Sequence, residues 1–358
     1  MPASGSPVRS THTLAEILSQ PGVWLSCLRE LANSAAYKTV ASKAASRKEW
    51  LFVGCGTSFY LAEAAAASWI LLTGQSARAL PASELLLFPR LAQLNAKDLQ
   101  AVIISRSGRT SEAVRVAELL SLKHNLPTLG ITCAPDSGLA KACEITLTLP
   151  CADEKSMVMT RSFTSMFLSL LHLAVTIVDA GAFSSSFEAI AAALVSRINS
   201  FSDRVESFVS EHSFADYIYL AQGPFFPIAR EAALKITEMS CSYAQHYHTL
   251  EFRHGPKSIV SPRTCLTFFL SESGMQAESE VLVEMKELGG TIIAVCNRAT
   301  DAVRRSSDLL FELEADVPEL ALLAPFVVPA QLLGFHTGIK KGFNPDEPKN
   351  LSRVVILD

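Results

Sequence analysis

The sequence predicts an α/β fold built from two fused copies of one doubly wound domain, each a parallel sheet between two layers of helices. Three observations predict it. Short apolar, β-branched runs alternate with helical patterns along most of the chain, and that alternation calls for parallel strands covered on both faces. The runs give way to helices through turns rich in small residues. Three strand–turn–helix units also recur in the same order: Gly56 and Gly223 lie 167 residues apart, Ser107 and Ser273 166, and Cys133 and Cys296 163. Landmarks kept in such register mark a duplication.

The elements follow in chain order. Residues from about Thr13 to Ala45 read as helices ahead of the first copy. The first strand runs from Glu49 into the turn at Gly56, with an Ala-rich helix from about Tyr60 to Leu72; its counterpart runs from Asp216 to Gly223, with a helix from about Pro227 to Ser240. The second strand runs from Ala101 to the turn at Ser107-Gly108, with a helix through about Ser121. It matches Leu266 to Ser273-Gly274 and a helix through about Leu288. The third pair is Thr128–Cys133 and Thr291–Cys296. A mostly helical stretch from about Phe163 to Val209 bridges the copies. Domains are expected at 1–45 (leading helices), 46–195, 196–343 and 344–358. The last is a tail whose Val354–Leu357 end reads as a strand or a buried extended piece.

The 358 residues comfortably supply two domains. With 49% hydrophobic and 18% charged residues, the chain has ample core material and little sign of disorder. Net charge is −4, and Lys340-Lys341 and Arg304-Arg305 are isolated pairs read as solvated surface, so no basic stripe suggests nucleic acid. Eight cysteines without a C-x-x-C pair, mostly in apolar runs, suit buried thiols of a reducing, cytoplasmic setting. Neither a disulfide framework nor a zinc site is expected. The polar segment Met1 to Thr13 lacks the apolar centre of a signal peptide. The most apolar helical stretch, Met166 to Val178, is short of a membrane span and contains Ser169 and His172.

In open α/β sheets, ligands bind beyond the carboxyl ends of strands, where helix N-termini attract anions. Ser105-Arg106-Ser107-Gly108-Arg109-Thr110-Ser111 stands at such a place, and Gly56-Thr57-Ser58 at the equivalent place one strand earlier. One hydroxyl per helix would be an ordinary cap. Hydroxyls at 105, 107, 110 and 111 exceed that and point to phosphate. The second copy has Gln276 in place of Thr110 and adds Glu272, so the first copy is expected to hold the anion. Gly54-Cys-Gly56 begins a dinucleotide fingerprint but has Phe59 at its third glycine and no following ribose acid.

Glu231, Lys235 and Glu238 share one helix face. The spacing alone fits either a solvated salt-bridged face or an acid–base group whose members shift one another's pKa. His254-Gly255-Pro256 ends a helix or loop, where a histidine can approach a ligand and exchange protons at neutral pH. His246 and His248 do not share a helix face, and no H-E-x-x-H pattern occurs, so no metal is expected.

Together these motifs resemble the sugar isomerase (SIS) domain family over nearly the whole chain. Ser105 to Thr110 is similar to its phosphosugar loop, and Gly54 to Ser58 to its Gly-x-Gly-Thr-Ser turn. Glu231 to Glu238 and Glu251-Phe252-Arg253-His254-Gly255-Pro256 resemble motifs of the isomerase domain of glucosamine-6-phosphate synthase. Phe252 to Ser258, Met159-Thr160 before Ser162, and Gln20-Pro21 with Trp24 look like the tagatose-6-phosphate isomerase or galactosamine-6-phosphate deaminase branch. The resemblance implies two tandem SIS domains. It implies that Gly56, Thr57, Ser58, Ser105, Arg106, Ser107 and Thr110 bind the phosphate or sugar. It makes His254 the ring-opening group, reaching the site from a neighbouring subunit, and Glu238 the group that moves the C1–C2 proton with Lys235 assisting. The tail would return to the site with Arg353 where the synthase has a lysine; arginine keeps the charge but cannot serve as a base. Met159 stands where the synthase has a sugar-binding serine. No counterpart of the synthase's glutaminase domain or N-terminal catalytic cysteine is read, so glutamine-dependent transfer is not expected.

The implied activity is conversion of an aldosamine 6-phosphate to a ketose 6-phosphate and ammonia, with no cofactor, in a homodimer with a shared active site. A plain aldose/ketose isomerase or a phosphosugar-amine deglycase is the alternative. A non-catalytic phosphosugar sensor fits less well, because Glu238 and His254 are both retained and no DNA-binding segment is evident. The partners expected are a sugar phosphate and a second copy, with neither nucleic acid nor membrane.

Overall fold

A computed structural model describes residues 12–44, 46–92, 94 and 98–357. Residues 1–11 of the polar N-terminal segment, and Ala45 at the end of the leading helices, lie outside the described residues.

Strands β1 (Glu49–Gly54), β2 (Ser76–Pro81), β3 (Leu99–Ile104), β4 (Thr128–Thr132) and β5 (Ile145–Thr148) form one sheet in the order β2-β1-β3-β4-β5. Strands β6 (Asp216–Ala221), β7 (Ala244–His248), β8 (Thr264–Phe269), β9 (Thr291–Cys296) and β10 (Leu309–Glu312) form a second, in the order β10-β9-β8-β6-β7. All the pairings are parallel. Numbered within its own copy, each sheet runs 2-1-3-4-5, so the duplication read from the sequence holds at the level of topology. The fold is α/β with two doubly wound sheets.

The central strands are buried on both faces, which is why they read as unbroken apolar runs. Leu51, Val53, Ala101 and Ile103 point to one face of the first sheet and pack on Ala113, Val116 and Leu120 of the following helix. Ile218, Leu220, Leu266 and Phe268 do the same in the second sheet, against Val281, Leu282 and Met285. Each Val, Leu, Ile, Phe or Met among them contributes about 1.5–3 kcal/mol by leaving water, which makes the strand ends rigid platforms for the loops that follow. The switch points, where neighbouring connections leave in opposite directions, fall between β1 and β3 and between β6 and β8.

The chain divides into two compact units. One contains the first sheet: Ser19–Glu154, Met159–Ala191 and the residues from Ser352 onward. The other contains the second sheet: the residues up to Leu18, Lys155–Val158 and Ala192–Leu351. In the first unit, Trp24 donates its indole N–H to Thr164 Oγ1 at 2.8 Å, and Thr164 donates to Gln20 Oε1 at 2.7 Å. Gln20 and Trp24, two of the branch-like residues, thus tie the leading helix Gln20–Asn33 to the helix Arg161–Ile177.

Four readings change. The tail segment Val354–Leu357 is neither strand nor buried: it pairs with no sheet, and Val355, Ile356 and Leu357 are exposed. Bonds to the Ser111 backbone and hydroxyl and to the Arg115 guanidinium, on the helix behind the β3 loop, hold it. His246 and His248 lie on the edge strand β7 rather than on a helix, so their i, i+2 spacing puts them on one face, against the Phe226 ring. Lys340 is not merely solvated; its ammonium donates to the carbonyls of Val209 and His212, both at 2.7 Å, at the end of the helix Ile198–Glu211. Among the described residues, the run long and apolar enough to cross a membrane is Glu319–Lys340, not Met166–Val178, and 94% of its apolar window is buried in the protein.

Candidate active site

The first unit brings its two hydroxyl-bearing turns to one switch point. After β1 the chain turns at Gly56, whose φ of +54° suits glycine, and the helix Thr57–Thr73 begins at once. Thr57 and Ser58 therefore sit in a helix's first turn, three residues ahead of the Tyr60 start that the sequence predicts, and both are buried. The Ser58 hydroxyl faces Met159 Sδ at 3.9 Å, so the departure at Met159 and the predicted phosphate serine are neighbours. After β3, Ser105 Oγ faces Thr110 Oγ1 at 3.4 Å, and the Arg109 N–H donates to Ser107 Oγ at 3.2 Å. Gly108 has φ +60°, and a Cβ there would lie 2.0 Å from Ser137 Oγ. The turn needs glycine on both counts. The helix Ser111–Glu118 starts directly behind. Ser111 itself is occupied by the tail: its N–H donates to the Val355 carbonyl at 3.2 Å, and its hydroxyl accepts from the Leu357 N–H at 3.0 Å.

Behind this loop lies a buried network that sequence reasoning missed. Glu154, 2% exposed, accepts from the Thr160 N–H at 2.6 Å, the Thr160 hydroxyl at 2.8 Å, the Ser162 hydroxyl and Arg106 Nη1 at 3.3 Å. Arg106 also donates to the Arg353 carbonyl at 3.4 Å. The Arg353 guanidinium pairs with Asp153 at 2.9 Å. Arg106 thus braces the loop from inside, and Arg353 fastens the tail. The only hint in the sequence was the Met159-Thr160-x-Ser162 segment, because an isolated glutamate in a loop has no pattern to reveal it.

The second unit has the same loop after β8, but carboxylates fill it. The Ser271 hydroxyl donates to Glu278, and the Gly274 N–H to Ser271 Oγ at 2.9 Å. The Ser273 N–H and hydroxyl donate to Glu319, at 3.0 and 2.5 Å. Glu272 is held by the Asn297 amide at 2.7 Å. Burial pushes the Glu278 carboxyl up to about 7.

The helix Phe226–Ser240 of this unit carries the acid–base candidates. Glu231 and Lys235 are fully buried, which removes the solvated-face reading of their spacing. Lys235 Nζ lies 3.3 Å from Glu231 and makes a closer contact with Glu238. Burial opposes the ammonium charge, but the two carboxylates outweigh it and hold the Lys235 pKa above its ordinary value. Of the three side chains only Glu238, 17% exposed, reaches solvent. The helix ends at Cys241 in a left-handed conformation.

His254 stands at the end of the short turn Glu251–Arg253, exposed, followed by Gly255 at φ +124°. Its imidazole makes no hydrogen bond to any described residue. The backbone around it is clamped: Arg253 and Lys257 both pair with Glu284, at 2.7 and 2.6 Å. Hydrogen bonds from Lys257 and then Arg253 hold the Glu284 carboxyl below its usual range. Burial lowers the pKa of both His246 and His248, with Arg230 adding to the effect at His246.

The family model for the SIS domain matches residues 44–176 and 189–337. Among curated proteins, the isomerizing glutamine–fructose-6-phosphate aminotransferase of Xylella fastidiosa is 29% identical over 325 residues, 86% of this chain and 51% of its own length. That of Pyrobaculum aerophilum is 25% identical over 360 residues, 96% of this chain and 57% of its own. The chain spans about half the length of the curated relatives it matches. Among solved structures, glucosamine-6-phosphate deaminase from Thermotoga maritima matches with TM-score 0.75 and 29% identity, over 96% of this chain and 99% of that one. Tagatose-6-phosphate ketose/aldose isomerase from Escherichia coli shares the fold, with TM-score 0.82 at 24% identity over 99% and 98%.

Proposed function

The chain is an enzyme of the SIS domain family of phosphosugar isomerases, and from that premise we propose that it converts an aldosamine 6-phosphate to a ketose 6-phosphate and ammonia. The observation that carries the proposal is the buried Glu231–Lys235–Glu238 group, in which only Glu238 faces solvent. Lys235, with its pKa held up, stays protonated and does not act as a base. It supplies a fixed positive charge beside Glu238, which is the group left to take a proton from C2 and return it at C1. The carbonyl of the opened sugar acidifies that C–H, so the residues need no redox partner. Moving the proton turns a C2 amine into an imine. Water adds to the imine carbon and ammonia leaves, giving the ketose.

Ser58, Ser105, Ser107 and Thr110 hold the phosphate, at the turns that Gly56-Thr57 and Gly108 shape. Arg106 positions the loop through Glu154. His254 opens the sugar ring. Its exposure and the absence of a hydrogen-bond partner among the described residues support a role toward a second copy, as in a homodimer. The 29% identity to a deaminase over nearly the whole of both chains favours deamination over plain isomerisation. The test is release of ammonia together with a ketose phosphate from galactosamine 6-phosphate and from glucosamine 6-phosphate. Ammonia from either supports the deaminase and selects the C4 epimer. Ketose formation from a plain aldose 6-phosphate, with no ammonia from either amine, would replace it with the isomerase reading.

A further inference from the structure

Cys27 and Cys151 belong to none of the chemistry above, yet their sulfurs lie 2.8 Å apart, inside ordinary van der Waals contact. Cys27 projects from the helix Gln20–Asn33 and is fully buried. Cys151 lies in the turn Pro150–Ala152 and is partly exposed. Burial separates their roles. Cys27 is the buried partner and Cys151 the reachable one, and their contact lowers the Cys151 pKa despite burial and the neighbouring Glu30 while it raises that of Cys27, so the thiolate is favoured at Cys151. One sulfur is thus nucleophilic and reachable, and the other waits behind it. Paired thiols of this kind in a reducing compartment are characteristically transient and redox-sensing rather than structural.

We infer that Cys27 and Cys151 are a reversible oxidation site that closes to a disulfide on exposure to a hydroperoxide and thereby disturbs the support of the Ser105–Thr110 loop. The Cys151 thiolate attacks the peroxide O–O bond, forming a sulfenic acid and releasing hydroxide. The Cys27 sulfur then attacks the Cys151 sulfur; the S–OH bond breaks, and the Cys27 proton and the departing hydroxyl leave as water. Two thiols and one peroxide give one disulfide and two waters; a dithiol reverses it by exchange.

The link to the loop is short. The turn that bears Cys151 runs straight into Asp153, which holds Arg353 of the tail, and Glu154, which holds Arg106, Thr160 and Ser162. Closing the sulfurs from 2.8 Å to the bonded distance of about 2.05 Å draws that turn toward the helix Gln20–Asn33. Those contacts have little slack to follow.

The experiment treats the whole protein with hydrogen peroxide, then maps thiols by mass spectrometry and follows amide hydrogen exchange. The expected result is a cross-linked pair of peptides containing Cys27 and Cys151, lighter by two hydrogens, restored by dithiothreitol. Exchange at the Thr160 and Ser162 amides should quicken at least about fivefold in the oxidised form, the lower end of ordinary coupling between sites. Cys151→Ser, at a partly exposed position, should abolish the cross-link without disturbing the fold, and Cys133→Ser should leave it intact. A link through Cys133, or peroxide reaction confined to the exposed Cys241, would overturn the assignment of the pair. A Cys27–Cys151 link with unchanged exchange at Thr160 and Ser162 would overturn the coupling. None of these readouts depends on which sugar the enzyme takes.

Discussion

The loop after β3 and the loop after β8 descend from one ancestor and are now opposites. Ser105, Ser107, Gly108 and Glu112 in the first align with Ser271, Ser273, Gly274 and Glu278 in the second, each 166 residues on. In the first, Glu112 turns to Cys55, whose thiol lies 3.9 Å from it, and the segment beyond β5 sends Glu154 to Arg106. The serines stay clear of carboxylates. In the second, Glu278 takes Ser271 and Glu319 takes Ser273. One residue within the loop marks the difference: position 106 is arginine and its counterpart, 272, is glutamate. Arg106 pairs with the carboxylate behind the loop, and on the proposed function the hydroxyls are left for an external anion. Without it, the chain's own carboxylates fill the place an anion would take. The second copy instead carries Glu238 on a helix whose equivalent in the first copy, Thr57–Thr73, has only Glu63 among charged residues. On the proposed function, one duplication has produced an anion cradle and an acid–base helix from the same scaffold.

The largest effect should come from that helix. Glu238→Gln keeps shape and hydrogen bonding to Lys235 but removes the proton acceptor. Turnover should fall about 10²–10⁴-fold with little change in KM, measured as ketose and ammonia release. A variant with wild-type turnover would return this helix to a structural role and leave the two copies chemically equivalent.

The filled loop makes a different prediction. Glu278 has its carboxyl raised from the ordinary value of 4.5 to about 7. The folded state therefore binds that proton more tightly than the unfolded chain does. Its stability is fully present below about pH 4.5 and erodes as pH rises through about 7. Glu278→Gln can still accept from the Ser271 hydroxyl and carries no charge. It should match the parent near pH 4.5 and exceed it by about 3 kcal/mol at pH 8, read from urea midpoints at the two pH values. Parallel pH curves for parent and variant would show that the loop is not closed by a strained carboxylate.

What the sequence made legible follows burial. The central strands β1, β3, β4, β6, β8 and β9 were visible because both faces are covered and most of their positions are apolar. The four strands missed, β2, β5, β7 and β10, are all sheet edges. Their half-buried residues, such as Ser76-Ala77-Arg78 or Gln245-His246, carry no apolar run to read. The hydroxyl loop and the Glu231–Lys235–Glu238 face were visible as local spacing. Glu154, Glu284 and Glu319 were not, because each acts through a partner distant in sequence: Arg106, Arg253 and Ser273 lie in other elements. Local pattern shows which groups are presented. Only the fold shows which carboxylates are already spent.

The smallest effect is the most direct trial of the comparison, because it makes the same change in both loops. Ser107→Ala removes one hydroxyl donor from the open loop. A hydrogen bond to a charged group contributes roughly 1.5–3 kcal/mol, and this hydroxyl shares the anion with Ser105 and Thr110. Affinity for a sugar phosphate should therefore drop about tenfold at the lower figure, by calorimetric titration. Ser273→Ala removes the matching hydroxyl, which already donates to Glu319. It should leave affinity unchanged while costing about 1 kcal/mol of stability, since Glu319 retains the Ser273 N–H as a partner. Equal losses of affinity in the two variants would mean that both loops bind ligand and that Glu319 yields its place. Loss in the first alone would fix the anion in the copy where arginine frees the serines.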